Sequence, residues 1–281
     1  MICKRCGHQG ITAQMTHCPN CEFPLKSQPR TRSVTAQFRA LNARRKKLTQ
    51  QNYALPFTLG THVFEKYKIQ DLLGQGPMGV VYQVKDQDET LWALKLIHKR
   101  WLDGADLDQF QGHYLSFENL KSSSICLPNQ IIVESDKVGI LMPFQEGLTL
   151  RKVMNLRKTT SKAFDLDEVV DLLNGIRVGL ETLHHDGVCH GGLKPENVFL
   201  SKGTDHVQNV TLSDIQLGLA IGIESFYKAQ RSSGQGTYLA PESGQGQLTQ
   251  LSDIYSLGVF VFEGLSGQSF QSKKSIQEYL D

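Results

Sequence analysis

Apolar residues recur with different periods along this chain, and each period predicts an element. Behind Ser33, a residue type that caps helix N-termini, Val34, Phe38, Leu41 and Leu48 share one helical face. Arg44, Arg45, Lys46 and Lys47 crowd the next turn. From residue 67, "YKIQDLLGQGPMGVVYQVKD" alternates with period two on either side of a glycine-rich break. That pattern predicts strand, loop and strand, and "LWALKLI" predicts the strand after them. Alternation also puts Val210 and Leu212 on one strand face. "DIYSLGVFVFEGL" is apolar nearly all round, which predicts a buried helix. No apolar run approaches the roughly 20 residues that span a bilayer.

A chain of 281 residues with 40% apolar and 21% charged residues can bury a sizeable core. The start, "MICKRCGHQG", lacks the apolar stretch of a secretory signal, so reduced thiols and a cytoplasmic setting are expected. A net charge of +2 hides an asymmetry: between Phe23 and Phe64 stand eight Lys or Arg residues and no Asp or Glu. The first 22 residues carry +1, which leaves −7 for the rest. Three segments are predicted: a head over 1–24, a basic linker over 25–62 and an acidic body over 63–281.

In the head, Cys3, Cys6, Cys18 and Cys21 form two C-x-x-C pairs. Each pair points two thiolates at one centre, and two pairs complete a tetrahedral sulfur site suited to zinc. Disulfides fit a reducing compartment poorly, and a redox dithiol lacks its βαβ surroundings. About twenty residues build too little core, so the metal is expected to fold the head. The segment resembles a zinc ribbon whose four filled ligand positions leave no opening for catalysis. His8 and His17 are then surface residues, and Cys126 and Cys189 are packed rather than reactive.

In the body, Gly74, Gly76 and Gly79 supply G-x-G-x-x-G, and Lys95 falls on the following strand. "CHGGLKPENVFL", "VTLSD", "YLAPE" and "LSDIYSLGVFVFEGLSG" come next. In order and spacing this set resembles the protein kinase family over residues 63 to about 267, and Met78 at the loop tip resembles the bacterial Ser/Thr kinases. The resemblance implies a two-lobed α+β fold: a small lobe over 63–146, with an antiparallel sheet and one helix, and a mainly helical large lobe over 147–281. It implies binding of ATP and Mg²⁺ through Gly74, Gly76, Gly79, Val81, Ala93, Lys95, Met142, Lys194, Asn197 and Asp214.

Departures from the family pattern fall on the chemistry. Gly192 stands at the catalytic Asp, so no side chain there accepts the substrate proton, a loss of about 10²–10⁴ in rate. Gly191 replaces the Arg that pairs with a phosphorylated activation loop. His113 stands where a Glu normally pairs with the lysine; a slipped register would offer Glu118, which faces another way on the helix. Pro77 lacks the N–H that a phosphate oxygen would take. Alternation aligns Asp214 with the Asp of D-F-G, giving "DIQ", while a rival register through "QLGLA" loses the Asp. The architectural positions are kept: Phe117, Ile215 and His190 match the column that ties the lobes, and Asp253 matches the family Asp that grips the catalytic loop. The chain ends at Asp281, before the helices that usually follow, which implies a fragment or something else covering an apolar surface.

The expected function is that of a pseudokinase, a signalling or scaffold protein with protein partners and weak or no nucleotide binding. The alternatives are a divergent, low-activity Ser/Thr kinase that uses Lys95, Asn197 and Asp214 for positioning, and a nucleic-acid binder built on head and linker. The linker also suits anionic membrane, but packing of its narrow apolar stripe on the acidic body is the favoured reading.

Overall fold

The computed structural model describes Gln9, residues 57–98 and residues 101–270, the last less 102–105, 116, 118–119, 135–136, 160–162, 203–207, 221, 223–225, 227–235, 246 and 269. The chain divides into two compact units, Met1–Asn52 and Tyr53–Asp281, and every described residue but Gln9 belongs to the second. Cys3, Cys6, Cys18, Cys21 and the helix expected behind Ser33 lie outside the described residues, as does Glu118.

The second unit opens with strands β1 (His62–Val63), β2 (Tyr67–Gln75), β3 (Gly79–Lys85) and β4 (Leu91–Ile97), then helix α1 (Leu107–Leu115), then β5 (Gln130–Glu134) and β6 (Lys137–Pro143). The six strands form an antiparallel sheet in the order β1-β2-β3-β4-β6-β5. Successive side chains of a strand point to opposite faces, so the alternation sorts the residues. Val80, Tyr82, Val84, Leu94, Leu96 and Leu141 bury one face in an apolar cluster with Val63, Phe64, Tyr67 and Ile69. The register pairs Val81 with Lys95, Lys95 with Ile140, and Ala93 with Met142, which puts these five residues together on the opposite face.

A second part follows with β7 (Leu148–Thr149), α2 (Leu150–Thr159), α3 (Leu166–His185), β8 (Val198–Lys202), β9 (Gln208–Leu212), α4 (Leu217–Ala220) and α5 (Gln250–Ser266). Asp165 begins α3 with a reciprocal cap: its carboxylate accepts from the Glu168 amide, and Glu168 accepts from the Asp165 amide. Val169, Leu172, Ile176, Leu180 and Leu183 then form a buried stripe at helical spacing. β7, β8 and β9 make a small antiparallel sheet in that order, with Val210 and Leu212 buried as the alternation predicts.

One element differs from its prediction. α5 is not buried all round: Ile254 and Leu265 are 51% and 43% exposed, and Leu251 is 75% exposed. Ser252, Asp253, Ser256, Val259, Phe260, Glu263 and Gly264 face inward instead. The inward face is itself half polar, because these side chains bind backbone and carboxylates within the large lobe.

Candidate functional site

Lys95 projects from the reverse face of the small sheet, 7% exposed, and its ammonium forms an ion pair with the Asp214 carboxylate. Asp214 follows β9 with a positive φ of 59°, which turns its side chain back toward the sheet. Burial pushes its carboxyl up, but the Lys95 charge and hydrogen bond, with Lys194 and His190 beyond, hold it below its usual value. This placement corresponds to the "DIQ" alignment.

The loop from Cys189 to Asn197 supplies the other groups. His190 and Gly191 donate their amides to the Asp253 carboxylate at 2.7 and 2.9 Å, and the His184 ring meets the same carboxylate at 2.9 Å. Asn197 is buried; its side-chain amide donates to the Gly192 carbonyl at 2.9 Å, and its own carbonyl accepts from the Ser213 amide at 2.9 Å. Asn197 therefore stitches the loop to the segment that carries Asp214. Lys194 is 8% exposed; burial, against the pull of Glu196, and the nearby Lys95 bring its ammonium down to about 8.

Gly192 has no side chain, and a Cβ built there would stand 3.3 Å from the tip of the Phe226 ring. At Gly191, whose φ is 68°, a Cβ would stand 3.1 Å from a Leu248 methyl.

His113 hydrogen-bonds the Gln216 side chain, and burial holds its ring below the usual histidine value against that bond. Gln216 is buried at a φ of 51°, a conformation that favours glycine, and its amide also donates to the Cys189 sulfur at 3.7 Å. The two residues expected from sequence to depart from the family pattern, His113 and Gln216, thus meet one another. Phe117, Ile215 and His190 are all buried, and the His113 ring packs edge-on against Phe117.

The glycine loop is drawn tight. Gly76 and Gly79 exchange amide–carbonyl bonds, Met78 is buried, and the Pro77 carbonyl accepts from the Trp101 indole at 2.7 Å. Added methyls at Gly74 and Gly76 would meet nothing, whereas one at Gly79 would strike the Leu96 carbonyl oxygen at 2.0 Å. Packing inside the protein thus requires glycine only at position 79. From the large lobe, Lys152 donates to the Leu73 carbonyl at 3.1 Å. Val81 is half-buried beside buried Ala93 and Met142, on the face that carries Lys95.

The protein kinase domain family matches residues 67–280, about three quarters of the chain. This chain belongs to the protein kinase family. A probable serine/threonine-protein kinase PknB of Lactococcus lactis is 28% identical over 215 residues, which are 75% of this chain and 33% of that protein. The serine/threonine-protein kinase PrkC of Bacillus subtilis is 27% identical over 218 residues, 75% of this chain and 32% of its own length. The chain thus spans about a third of the length of the curated relatives it matches. Among solved structures, the kinase domain of Mycobacterium tuberculosis PknI superposes with a TM-score of 0.60 at 21% identity, covering 79% of this chain and 82% of that one. That likeness is one of fold.

Lys95, Asp214 and Lys194 lie close enough to act on one another's charge, and Asn197 ties the loop that carries Gly192 to the segment that carries Asp214. Glu196 is engaged elsewhere: it accepts from Arg151 at 2.8 Å, and Arg151 also meets Glu263 and the Tyr238 hydroxyl. Tyr238 in turn binds Glu263. Cys126 and Cys189 are free and buried, and burial lifts the Cys126 thiol to about 11. Sequence reasoning missed Arg151, Leu248 and Phe226. None stands in a periodic run, and the catalytic-loop residues they meet, Glu196, Gly191 and Gly192, lie far from them in the chain. No group of three or more possible metal ligands occurs among the described residues, and no described helix is long and apolar enough to cross a membrane.

Proposed function

We propose that this chain is a catalytically silent member of the protein kinase family, a pseudokinase that serves as a signalling or scaffold module. The observation that carries the reading is Gly192: the position that should hold the base has no side chain, and the Phe226 ring packs against it. Loss of a positioned base alone removes about 10²–10⁴ in rate. The rewired pairs, Lys95 with Asp214 and His113 with Gln216, support it further, because the lysine no longer links α1 to the nucleotide phosphates. The Cys3, Cys6, Cys18 and Cys21 zinc ribbon and the basic linker would recruit partners; the zinc reading rests on the donor set.

A second reading, a divergent Ser/Thr kinase, draws support from relatives named as such and from the meeting of Lys95, Lys194, Asn197 and Asp214 in one cleft. The donor set fits ATP with Mg²⁺. Asp214 and Asn197 would hold the ion, Lys95 and Lys194 would face the phosphates, and the ion would supply charge neutralisation. Positioning and electrostatics carry much of phosphoryl transfer, so such an enzyme would work slowly without a base.

The test is repair. Gly192→Asp alone should restore little phosphotransfer, whereas adding His113→Glu and Pro77→Gly should give more than the sum of the separate changes. Robust, magnesium-dependent turnover by the unmodified chain, before any repair, would favour the divergent enzyme.

A further inference from the structure

We propose that Phe226 is an internal ligand of the catalytic loop, and that position 192 is free of a side chain because this ring sits over it. The proposal goes beyond the absence of a base: the place is filled, and a substrate hydroxyl would have to displace Phe226 to reach it.

Two glycines from different segments form the seat. A Cβ at Gly192 would lie 3.3 Å from the ring tip, and one at Gly218 would lie 2.6 Å from a ring carbon, closer than real Cβ contacts come. Phe226 itself is 5% exposed, and its amide donates to the Gly222 carbonyl at 3.1 Å. Beside it, a Leu248 methyl would lie 3.1 Å from a Cβ at Gly191, so both residues that replace the family's Arg and Asp lie under apolar side chains. An aspartate at 192 would already press its Cβ against the ring, and its carboxylate would have to find room beside an apolar surface. A carboxylate pressed against a phenyl ring without a partner is unfavourable, so the aspartate and the seated ring exclude one another. Glycine at 192 and phenylalanine at 226 are therefore one feature.

The proposal rests on the placement of Gly192 at the base position. Its test reads packing rather than phosphate transfer, so the two readings can fail separately. Thermal unfolding of the full chain is compared for Gly192→Asp, Phe226→Ala and the double variant. Phe226→Ala should lower the melting temperature by about 5–15 °C. Gly192→Asp should lower it too, but the double variant should melt no lower than Phe226→Ala, because the carboxylate then enters vacated space. Phenol should raise the melting temperature of Phe226→Ala and leave the unmodified chain unmoved, as a ligand of the emptied seat would. If Phe226→Ala does not fold, Phe226→Leu takes its place in the cycle, and Gly218→Ala should destabilise the chain by driving its methyl into the ring. Additive drops from the two substitutions, an unshifted Gly218→Ala, or an equal effect of phenol on both chains would each overturn the proposal.

Discussion

Asp253 is the residue whose removal should do most to the geometry of the catalytic loop. Its carboxylate, 1% exposed at the base of α5, takes the amides of His190 and Gly191 and the ring of His184. Substitution with Ala would leave these three donors without their acceptor. His184 is 18% exposed and can turn to water, but the two amides lie in the buried interior. An orphaned buried donor costs about 1–3 kcal/mol, so Asp253→Ala should cost about 2–6 kcal/mol. For a unit of this size that lowers the melting temperature by about 5–20 °C. Asp253→Asn keeps the shape but offers one acceptor oxygen where two donors arrive, so it should fall between the unmodified chain and the alanine variant. Denaturant unfolding followed by tryptophan fluorescence measures both. A loss below about 1 kcal/mol for Asp253→Ala would refute the account of how this loop is held.

Three further outcomes are expected. Freshly purified, reduced protein should carry about one zinc per chain, and Cys18→Ser should release it and unfold the head while the body's thermal transition persists; substantially less zinc by metal analysis would contradict the site. Docking of the basic linker on the acidic body predicts that cleavage near Arg44 to Lys47 rises with salt, as screening weakens the contact; cleavage independent of salt would mean a free linker or one held by apolar packing. Burial brings Lys194 from 10.5 down to about 8, so between those values the unfolded chain holds a proton that the folded chain has released. Stability from this group therefore rises with pH across that window. Melting temperatures of the unmodified chain, measured against Lys194→Met, should climb from pH 8 to 10.5, and a fall would reverse the assignment.

Much of the small lobe was legible because its signals are local. Period-two alternation predicts the strands around the glycine loop and the strand that carries Lys95; the observed register is what brings Val81, Ala93 and Met142 onto the Lys95 face. Asp214 lies just past the strand of Val210 and Leu212, and its positive φ, which alternation does not announce, accompanies its meeting with Lys95. What escaped was decided by contacts between distant segments. His113 reads in sequence only as a missing glutamate; its bond to Gln216 spans more than a hundred residues, a distance no local pattern covers. Gly192 reads as a deletion of chemistry, and nothing near it in sequence announces that Phe226 lies above. The run of apolar residues in α5 predicted burial without saying on which sides neighbours would come, so Ile254 and Leu265 stand exposed. The four cysteines and the helix expected behind Ser33 pose a different problem, since those expectations rest on cysteine spacing and charge and lie outside the described residues.

The central claim is most directly tested by phosphate transfer from ATP in the presence of magnesium, to the chain itself and to generic protein substrates. The unmodified protein is measured beside Lys95→Ala. Without a base at position 192, with Lys95 drawn onto Asp214 and with Phe226 over the loop, the two proteins should be indistinguishable from background. Robust, magnesium-dependent turnover by the unmodified chain that disappears in Lys95→Ala would contradict the account and establish a working enzyme in its place.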